Sequence, residues 1–267
     1  MTRVAWSPGD KAALRVTVLE ELRRTLGSLT DEMQPIGPGW VARSQSLPLV
    51  WSLNQLRITE PTTFAAALAL ADEHLAGLPY RHILVENEST ATLLEGPFRA
   101  AGWTVDCEVL MALAESPDKD VDTSSVVELS EEQMLVLMRR WIAEERLDIS
   151  AAGFVQVEEY NRREGRLWKE RRLGIVDGDN SPMAITKLRV DRATAWVEDV
   201  YAVPEARRRG YARVLVSHAT ALARSAGCPL TFIIADDNDW PKDLYARVGF
   251  RPIGRTTTFH WNLSSVV

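Results

Sequence analysis

Tyr201-Ala202-Val203-Pro204-Glu205-Ala206-Arg207-Arg208-Arg209-Gly210-Tyr211-Ala212 leaves an apolar strand at a proline, passes three arginines and a glycine, and opens into a helix. Such a junction aims backbone N–H groups and the positive end of a helix dipole at one point, which suits an anion such as pyrophosphate. Gly210 has no Cβ, so the main chain can approach a phosphate oxygen there. The arginines add charge and donors, of which one or two would face a ligand. Taken alone, the same residues also fit a solvated basic turn that starts a helix.

One helix later comes Ala235-Asp236-Asp237-Asn238-Asp239-Trp240-Pro241-Lys242-Asp243-Leu244-Tyr245-Ala246-Arg247-Val248-Gly249-Phe250. Arg207-x-x-Gly210-x-Ala212 resembles the acyl-CoA pyrophosphate loop of the GCN5-related N-acetyltransferases. Asn238, Tyr245, Gly249 and Phe250 fall on the spacing of that family's next signature. The departure is Pro241, where the family carries a small residue; a proline is tolerated in a first helical turn.

A chain of 267 residues accommodates one large domain or two small ones. With 46% hydrophobic and 25% charged residues it reads as an ordinary globular protein. The N-terminal residues have no apolar core of signal-peptide length, and Phe64 to Ala71 is too short to span a bilayer, so a cytoplasmic protein without membrane contact is expected. Cys107 and Cys228 stand alone, and the four histidines lack ligand spacing, so neither a disulfide framework nor a metal site is expected. A net charge of −6 argues against nucleic acid. Residues 1–123 hold 10 Lys+Arg against 17 Asp+Glu, whereas residues 124–267 hold 21 against 20. The cations thus gather in the half that would meet a polyanionic cofactor.

Glu115 to Ser124 is polar, acidic and proline-containing, and reads as a linker. Beyond it the pattern predicts a strand at Ser125–Leu129 and a helix from the capping box Ser130-Glu131-Glu132-Gln133 to Glu145. It continues with a helix at Phe154–Gly165 and strands at Arg172–Val176, Met183–Val190 and Ala193–Val203. A helix from Gly210 to Ala226, stopping at Gly227, precedes a strand at Thr231–Ala235, a helix from Pro241 and a strand at Arg251–Leu263. This β-α-α-β-β-β-α-β-α-β order matches the acetyltransferase fold that the resemblance implies.

The first half repeats part of this pattern. Ala76-Gly77-Leu78-Pro79 matches Ala226-Gly227-Cys228-Pro229 at an offset of 150, and Phe98 to Trp103 matches Tyr245 to Phe250 at 147. Strand-like Trp51–Ile58 and a helix from Thr62 come before them. The expected architecture is therefore α/β (α+β), with two domains resembling the acetyltransferases, each a mixed, mostly antiparallel sheet flanked by helices. Residues 1–114 would be a degenerate copy, 115–124 a linker and 125–267 the catalytic domain. Chance similarity between two α/β segments is the other explanation.

The resemblance implies direct transfer of an acetyl group from acetyl-CoA to an amine, without a covalent enzyme intermediate. Glu198, six residues before Pro204, would be the base, and Tyr245 would be the acid that protonates the leaving thiolate. Asp199 is expected on the opposite face of its strand. Backbone groups of Tyr201, Ala202 and Val203 would pair with the pantetheine arm. Arg207, Arg208, Arg209, Gly210, Tyr211 and Ala212 would hold the pyrophosphate, and Asn238 would orient the pantetheine or the adjacent strand. Left open are a strand carboxylate paired with an arginine for Glu198, and a packing tyrosine for Tyr245. Trp141, Phe154 and Tyr160, among Glu144, Glu145, Asp148, Glu158 and Glu159, would either hold a cationic acceptor or be core aromatics under solvated acidic faces. A monomer or homodimer is expected. The reading from another class is a catalytically silent acyl-CoA-binding module.

Overall fold

A computed structural model describes residues 6–114, 121–145, 149–191 and 193–262. They form a mixed α/β fold that divides into two compact units. The units do not follow a single cut in the sequence. The larger comprises the described residues of Met1–Val18, Leu110–Ala235 and Asp239–Ile253, and the smaller Leu19–Val109, Asp236–Asn238 and Gly254–Val267. Of the expected linker, residues 115–120 lie outside the described residues.

The chain opens with α1 (Pro8–Leu29). In the smaller unit β1 (Glu32–Ile36), β2 (Gly39–Arg43) and β3 (Gln55–Ile58) pair antiparallel. After α2 (Phe64–His74), β4 (Tyr80–Val85) pairs parallel to β3. Next come α3 (Glu88–Ala100) and β5 (Thr104–Leu113), whose residues from Leu110 on are grouped with the larger unit. The core is apolar and aromatic, with Phe98 stacked on Phe259 at 4.5 Å. The strand expected from Trp51 begins only at Gln55, because Trp51–Leu53 is a 3₁₀ turn. Buried Asn54 imposes that turn: it accepts from the Ser44 N–H and donates to the carbonyls of Leu47 and Val50.

The chain continues with β6 (Val127–Glu128), α4 (Glu131–Glu145), α5 (Ala151–Leu167), β7 (Lys169–Val176), β8 (Pro182–Asp191), β9 (Thr194–Ala202), α6 (Tyr211–Ser225), β10 (Leu230–Asp236), α7 (Pro241–Val248) and β11 (Phe250–Asn262), all in the larger unit except Asp236 and the part of β11 from Gly254 on. This is the predicted order. The capping box forms in both directions, Gln133 N–H to Ser130 Oγ at 3.1 Å and Ser130 N–H to Gln133 Oε1 at 3.0 Å. Pro241 occupies the first turn of α7, where its missing N–H costs nothing. Strands β6 to β9 are antiparallel neighbours, and β9 pairs parallel to β10. The end of β11 pairs antiparallel with β4 within the smaller unit.

Two segments thus share one element order: β3, α2, β4, α3, β5 and β9, α6, β10, α7, β11. Glycines with left-handed backbone mark the same places in each, Gly77 and Gly227 (φ 82° and 76°) and Gly102 and Gly249 (φ 82° and 114°). Among the described residues no helix is long and apolar enough to cross a membrane.

Candidate active site

The site is built around an irregularity in β9. Tyr201 registers with Ile185 of β8, but Glu198 registers with Lys187, so three steps on β9 span two on β8. The extra residue is taken up at Asp199, whose φ is 53°. The intervening Thr186 hydroxyl donates to the Glu198 carbonyl at 2.9 Å. The bulge resets the side-chain alternation. Lys187 Nζ meets Asp199 Oδ2 at 2.6 Å, and Arg189 Nη1 meets Glu198 Oε2 at 2.6 Å. Lys187 and Arg189 lie two apart on β8 and both reach α5, at Asn161 and Glu164. Asp199 therefore shares the face of Glu198, contrary to the expectation from strict alternation.

This face carries a buried ionic network that the sequence reading missed. Arg189 is gripped by both oxygens of Glu164, at 2.9 and 2.7 Å, and by Glu170 Oε2 through Nε at 3.1 Å. Its guanidinium lies over the Trp196 ring at 5.3 Å. Tyr160 donates to Glu164, and Arg172 reaches Glu170 at 3.1 Å. The available signal was Lys187 and Arg189, two cations at same-face positions in a strand that also carries Ile185, Leu188 and Val190. Buried cations require carboxylate partners.

Glu198 keeps 21% of its side-chain surface, against 3% for Arg189 and for Glu164. Burial pushes its pKa up to about 8, with Asp199 and Glu164 adding and Arg189 and Lys187 opposing. The paired-carboxylate role and a proton affinity suited to a base near neutral pH thus coexist in one residue.

Beside Glu198 the sheet opens. The parallel register of β9 with β10 covers Thr194–Val197 and stops. Tyr201 and Ala202 keep their register with β8. Among the described residues no strand registers with them on the other side, where an extended ligand could add, although Arg207 already bonds the Ala202 carbonyl there. Val203 N–H still bonds Met183 O at 3.0 Å, and Pro204–Ala206 makes a 3₁₀ turn.

Gly210 follows as the N-cap of α6 at φ 81°, a conformation that costs a side-chain-bearing residue energy. No side chain caps this helix, and its first internal bond runs from Val214 N–H to Gly210 O at 3.1 Å. The N–H groups of Tyr211, Ala212 and Arg213 consequently lack intrahelical acceptors. A Cβ on Gly210 would meet nothing within 4 Å, so the helix N-terminus is approachable.

The arginines divide their work. Arg207 bonds Ala202 O at 3.1 Å, pairs with Glu144 of α4 at 2.6 Å and covers the Tyr201 ring at 5.8 Å. Tyr201 donates to the same Glu144 at 3.0 Å and stacks on Trp141. Burial, with Glu144 adding, pushes the Tyr201 phenol up to about 12. Arg207 and Tyr201 thus fasten the loop to α4 through their side chains, while Arg208 and Arg209 remain exposed.

Tyr245 is buried on α7, edge-on to Phe250 at 6.4 Å, and makes no hydrogen bond to a described residue. Burial, with Asp239 adding, raises its pKa well above the ordinary tyrosine value, which keeps the proton on the hydroxyl. Glu198 is not among the charges that shift it. Asn238 is exposed in the turn after β10, its N–H bonded to Asp236 Oδ1 at 2.7 Å, and is grouped with the smaller unit.

Two of the three aromatics of α4 and α5 have partners within the protein. Trp141 joins the core with Tyr201, and Tyr160 is spent on Glu164. Glu158 pairs with Arg139, and Glu159 with Arg163. Asp148 lies outside the described residues. Among the described residues no group of three or more His, Cys, Asp or Glu is placed to hold a metal.

Residues 136–250 match the Acetyltransferase (GNAT) family. That match supports the GNAT superfamily for this chain. The fold is similar to a functionally unknown conserved protein from Staphylococcus epidermidis ATCC 12228, with a TM-score of 0.67 at 16% identity over 87% of this chain and 94% of that one. It is also similar to a GCN5-related N-acetyltransferase from Kribbella flavida, at 0.58 and 18% over 93% and 94%. A GCN5-related N-acetyltransferase from Sphaerobacter thermophilus gives 0.51 and 16% over 72% and 63%. At such identities the likeness is one of fold. No curated protein matches the chain.

Proposed function

We propose that this protein is an N-acetyltransferase that moves the acetyl group of acetyl-CoA directly to a primary amine of a small molecule or peptide. The observation that carries the reading is a carboxylate of raised proton affinity, Glu198, beside a strand edge that opens toward an uncapped helix N-terminus. These features fit acetyl-CoA. Donors of Gly210, Tyr211 and Ala212, with Arg208 and Arg209, would neutralise the pyrophosphate. Backbone groups of Tyr201, Ala202 and Val203 on the side away from β8 would take the pantetheine, and one of their N–H groups would polarise the thioester carbonyl. Glu198 would accept the ammonium proton directly or through a water, and Tyr245 would protonate the departing thiolate. Asn238 would orient the pantetheine or the neighbouring strand.

The same proposal makes residues 1–114 a degenerate copy of 125–267, joined by 115–124, in a cytoplasmic protein. Shared element order and paired left-handed glycines support the repeat. The register adds a functional consequence. At the offset of 150, Ile83 of β4 corresponds to Ile233 of β10; Ile83 registers with Leu56 and Ile233 with Val197. Arg57, the next residue of β3, thus takes the place of Glu198. It pairs with Glu86 at 2.8 Å and lies against Trp40. A guanidinium cannot serve as the base, so the chain would hold one catalytic site.

A silent acyl-CoA-binding module is favoured by one observation, the ion pair that Glu198 makes with Arg189. The deciding experiment measures CoA release from acetyl-CoA across a panel of amines, with the acceptor-free rate subtracted. Release above that background with at least one primary amine supports the enzyme. A protein that binds acetyl-CoA and never exceeds background is the module.

A further inference from the structure

A guanidinium in contact with a carboxylate ordinarily holds it ionised and makes it a poor base. Arg189 touches Glu198 at 2.6 Å, which should cost Glu198 its proton affinity. The guanidinium, however, is already shared. Glu164 takes Nη1 and Nη2 in a two-point pair, and Glu170 takes Nε, all three groups being at most 3% exposed. Two buried carboxylates therefore outweigh the single charge of Arg189 before Glu198 is counted. Arg172 at Glu170 and Lys187 at Asp199 complete the set. With every group ionised, Lys187, Arg189 and Arg172 face Glu164, Glu170, Glu198 and Asp199, one negative charge in excess; Arg172 also reaches the exposed Glu131 at 4.0 Å. Without that exposed carboxylate the set is neutral when Glu198 carries a proton. Tyr160, donating to Glu164, is a further titratable group on this face.

We propose that Glu164 and Glu170 are positioning residues that occupy the Arg189 guanidinium, so that Arg189 fixes the Glu198 carboxylate in place without abolishing its basicity. This rests on the reading of Glu198 as the base. Its physical content is that β8, β7 and α5 each contribute one part of a proton-affinity control, with Glu164, Glu170, Lys187 and Arg189 buried and Glu198 and Asp199 partly exposed. The raised pKa of Glu198 agrees with it, and Glu164 is among the groups that raise it. Removing either buried carboxylate returns the guanidinium charge to Glu198 and lowers its affinity for a proton.

The test is a carboxyl-carbon NMR titration of glutamate-labelled protein, with the Glu198 resonance assigned by its loss in E198Q. In the wild type Glu198 should titrate at least one pH unit above ordinary glutamates, a measurement that needs only E198Q to fold, for the assignment. In E164Q and E170Q the midpoint should fall by about one unit or more, a tenfold or greater loss of proton affinity. The acid limb of kcat/KM should move down with it. A wild-type midpoint in the ordinary range overturns the inference. So does an unmoved midpoint in either folded variant, since a merely structural role lowers stability and leaves the midpoint in place. Failure of the enzyme reading has a different signature: E198Q turns over like the wild type, whatever the titration gives.

Discussion

Lys187 and Asp199 meet at 2.6 Å across the bulge of β9, and Lys187 has no exposed side-chain surface. Their attraction holds Asp199 at φ 53°, a left-handed conformation that costs a non-glycine residue roughly 1–2 kcal/mol. The strain is therefore balanced by the need of a buried ammonium for a counter-ion. The bulge in turn sets Glu198 on the face of Arg189.

Replacing Asp199 with glycine separates the two terms. The substitution relieves the strain but leaves the Lys187 charge without its carboxylate, with Asn161 as a neutral partner, and breaking a buried pair costs roughly 3–5 kcal/mol. We expect Asp199→Gly to be destabilised by about 2 kcal/mol or more in denaturant unfolding. Equal or greater stability would show that the ion pair does not hold the bulge.

Gly210 allows a similar separation on the cofactor side. Space in front of it is open and its φ is 81°, so Gly210→Ala meets backbone strain alone, roughly 1 kcal/mol. Gly210→Asp adds a negative charge where pyrophosphate is proposed to bind. Acetyl-CoA affinity measured by calorimetry should fall at least tenfold in Gly210→Asp, and by clearly less in Gly210→Ala. A folded Asp variant with unchanged affinity would remove the proposed phosphate site.

Glu198 links the site to stability. Its pKa of about 8 lies above the ordinary 4.5, so the folded state binds the proton more tightly than the unfolded chain. The stability contribution is complete below about pH 4.5 and is lost as pH rises through about 8. Glu198→Gln lacks this slope. Its melting temperature relative to wild type should therefore rise across that window, by about 2–4 °C for each kcal/mol. A constant difference from pH 5 to 9 would mean that Glu198 titrates normally.

Much of this was legible locally. Ser130 and Gln133, Pro241 and Gly227 announce their helix ends because capping and backbone rules act within a few residues. The Gly210 loop is legible for the same reason. Asp199 was misplaced because a bulge is set by the partner strand, and β9 alone reads as a regular alternation. Glu164 was missed because only folding brings α5 against Arg189, 25 residues away in sequence. Trp51–Leu53 was misread because the turn depends on Asn54 meeting Ser44.

Turnover tests the two reacting groups. Glu198→Gln and Tyr245→Phe should leave acetyl-CoA affinity nearly unchanged, because neither residue is assigned to the pyrophosphate or pantetheine. Each should lower kcat by about a hundredfold, the usual scale of general acid–base catalysis. Wild-type turnover over the whole pH profile in either variant would cancel that residue's role.

The number of acetyl-CoA molecules per chain decides how the first half is to be understood. No glycine lies between Trp40 and Ala76, and the position offset by 150 from Gly210 is Glu60, followed by Pro61. A carboxylate there repels pyrophosphate, and the proline removes a backbone donor. In the proposed repeat the acid's counterpart is Phe98, fully buried against Phe64, Trp103 and Phe259 with no hydroxyl to give. Arg57 would stand at the place of the base. On that proposal each function the chemistry needs is missing from residues 1–114 for a separate reason, and restoring one would not restore activity. Calorimetric titration of the intact protein should give one acetyl-CoA per chain, and Gly210→Asp should abolish most of that signal rather than half of it. A stoichiometry of two, or a residual site of full strength in the variant, would show that the first half binds the cofactor by other means.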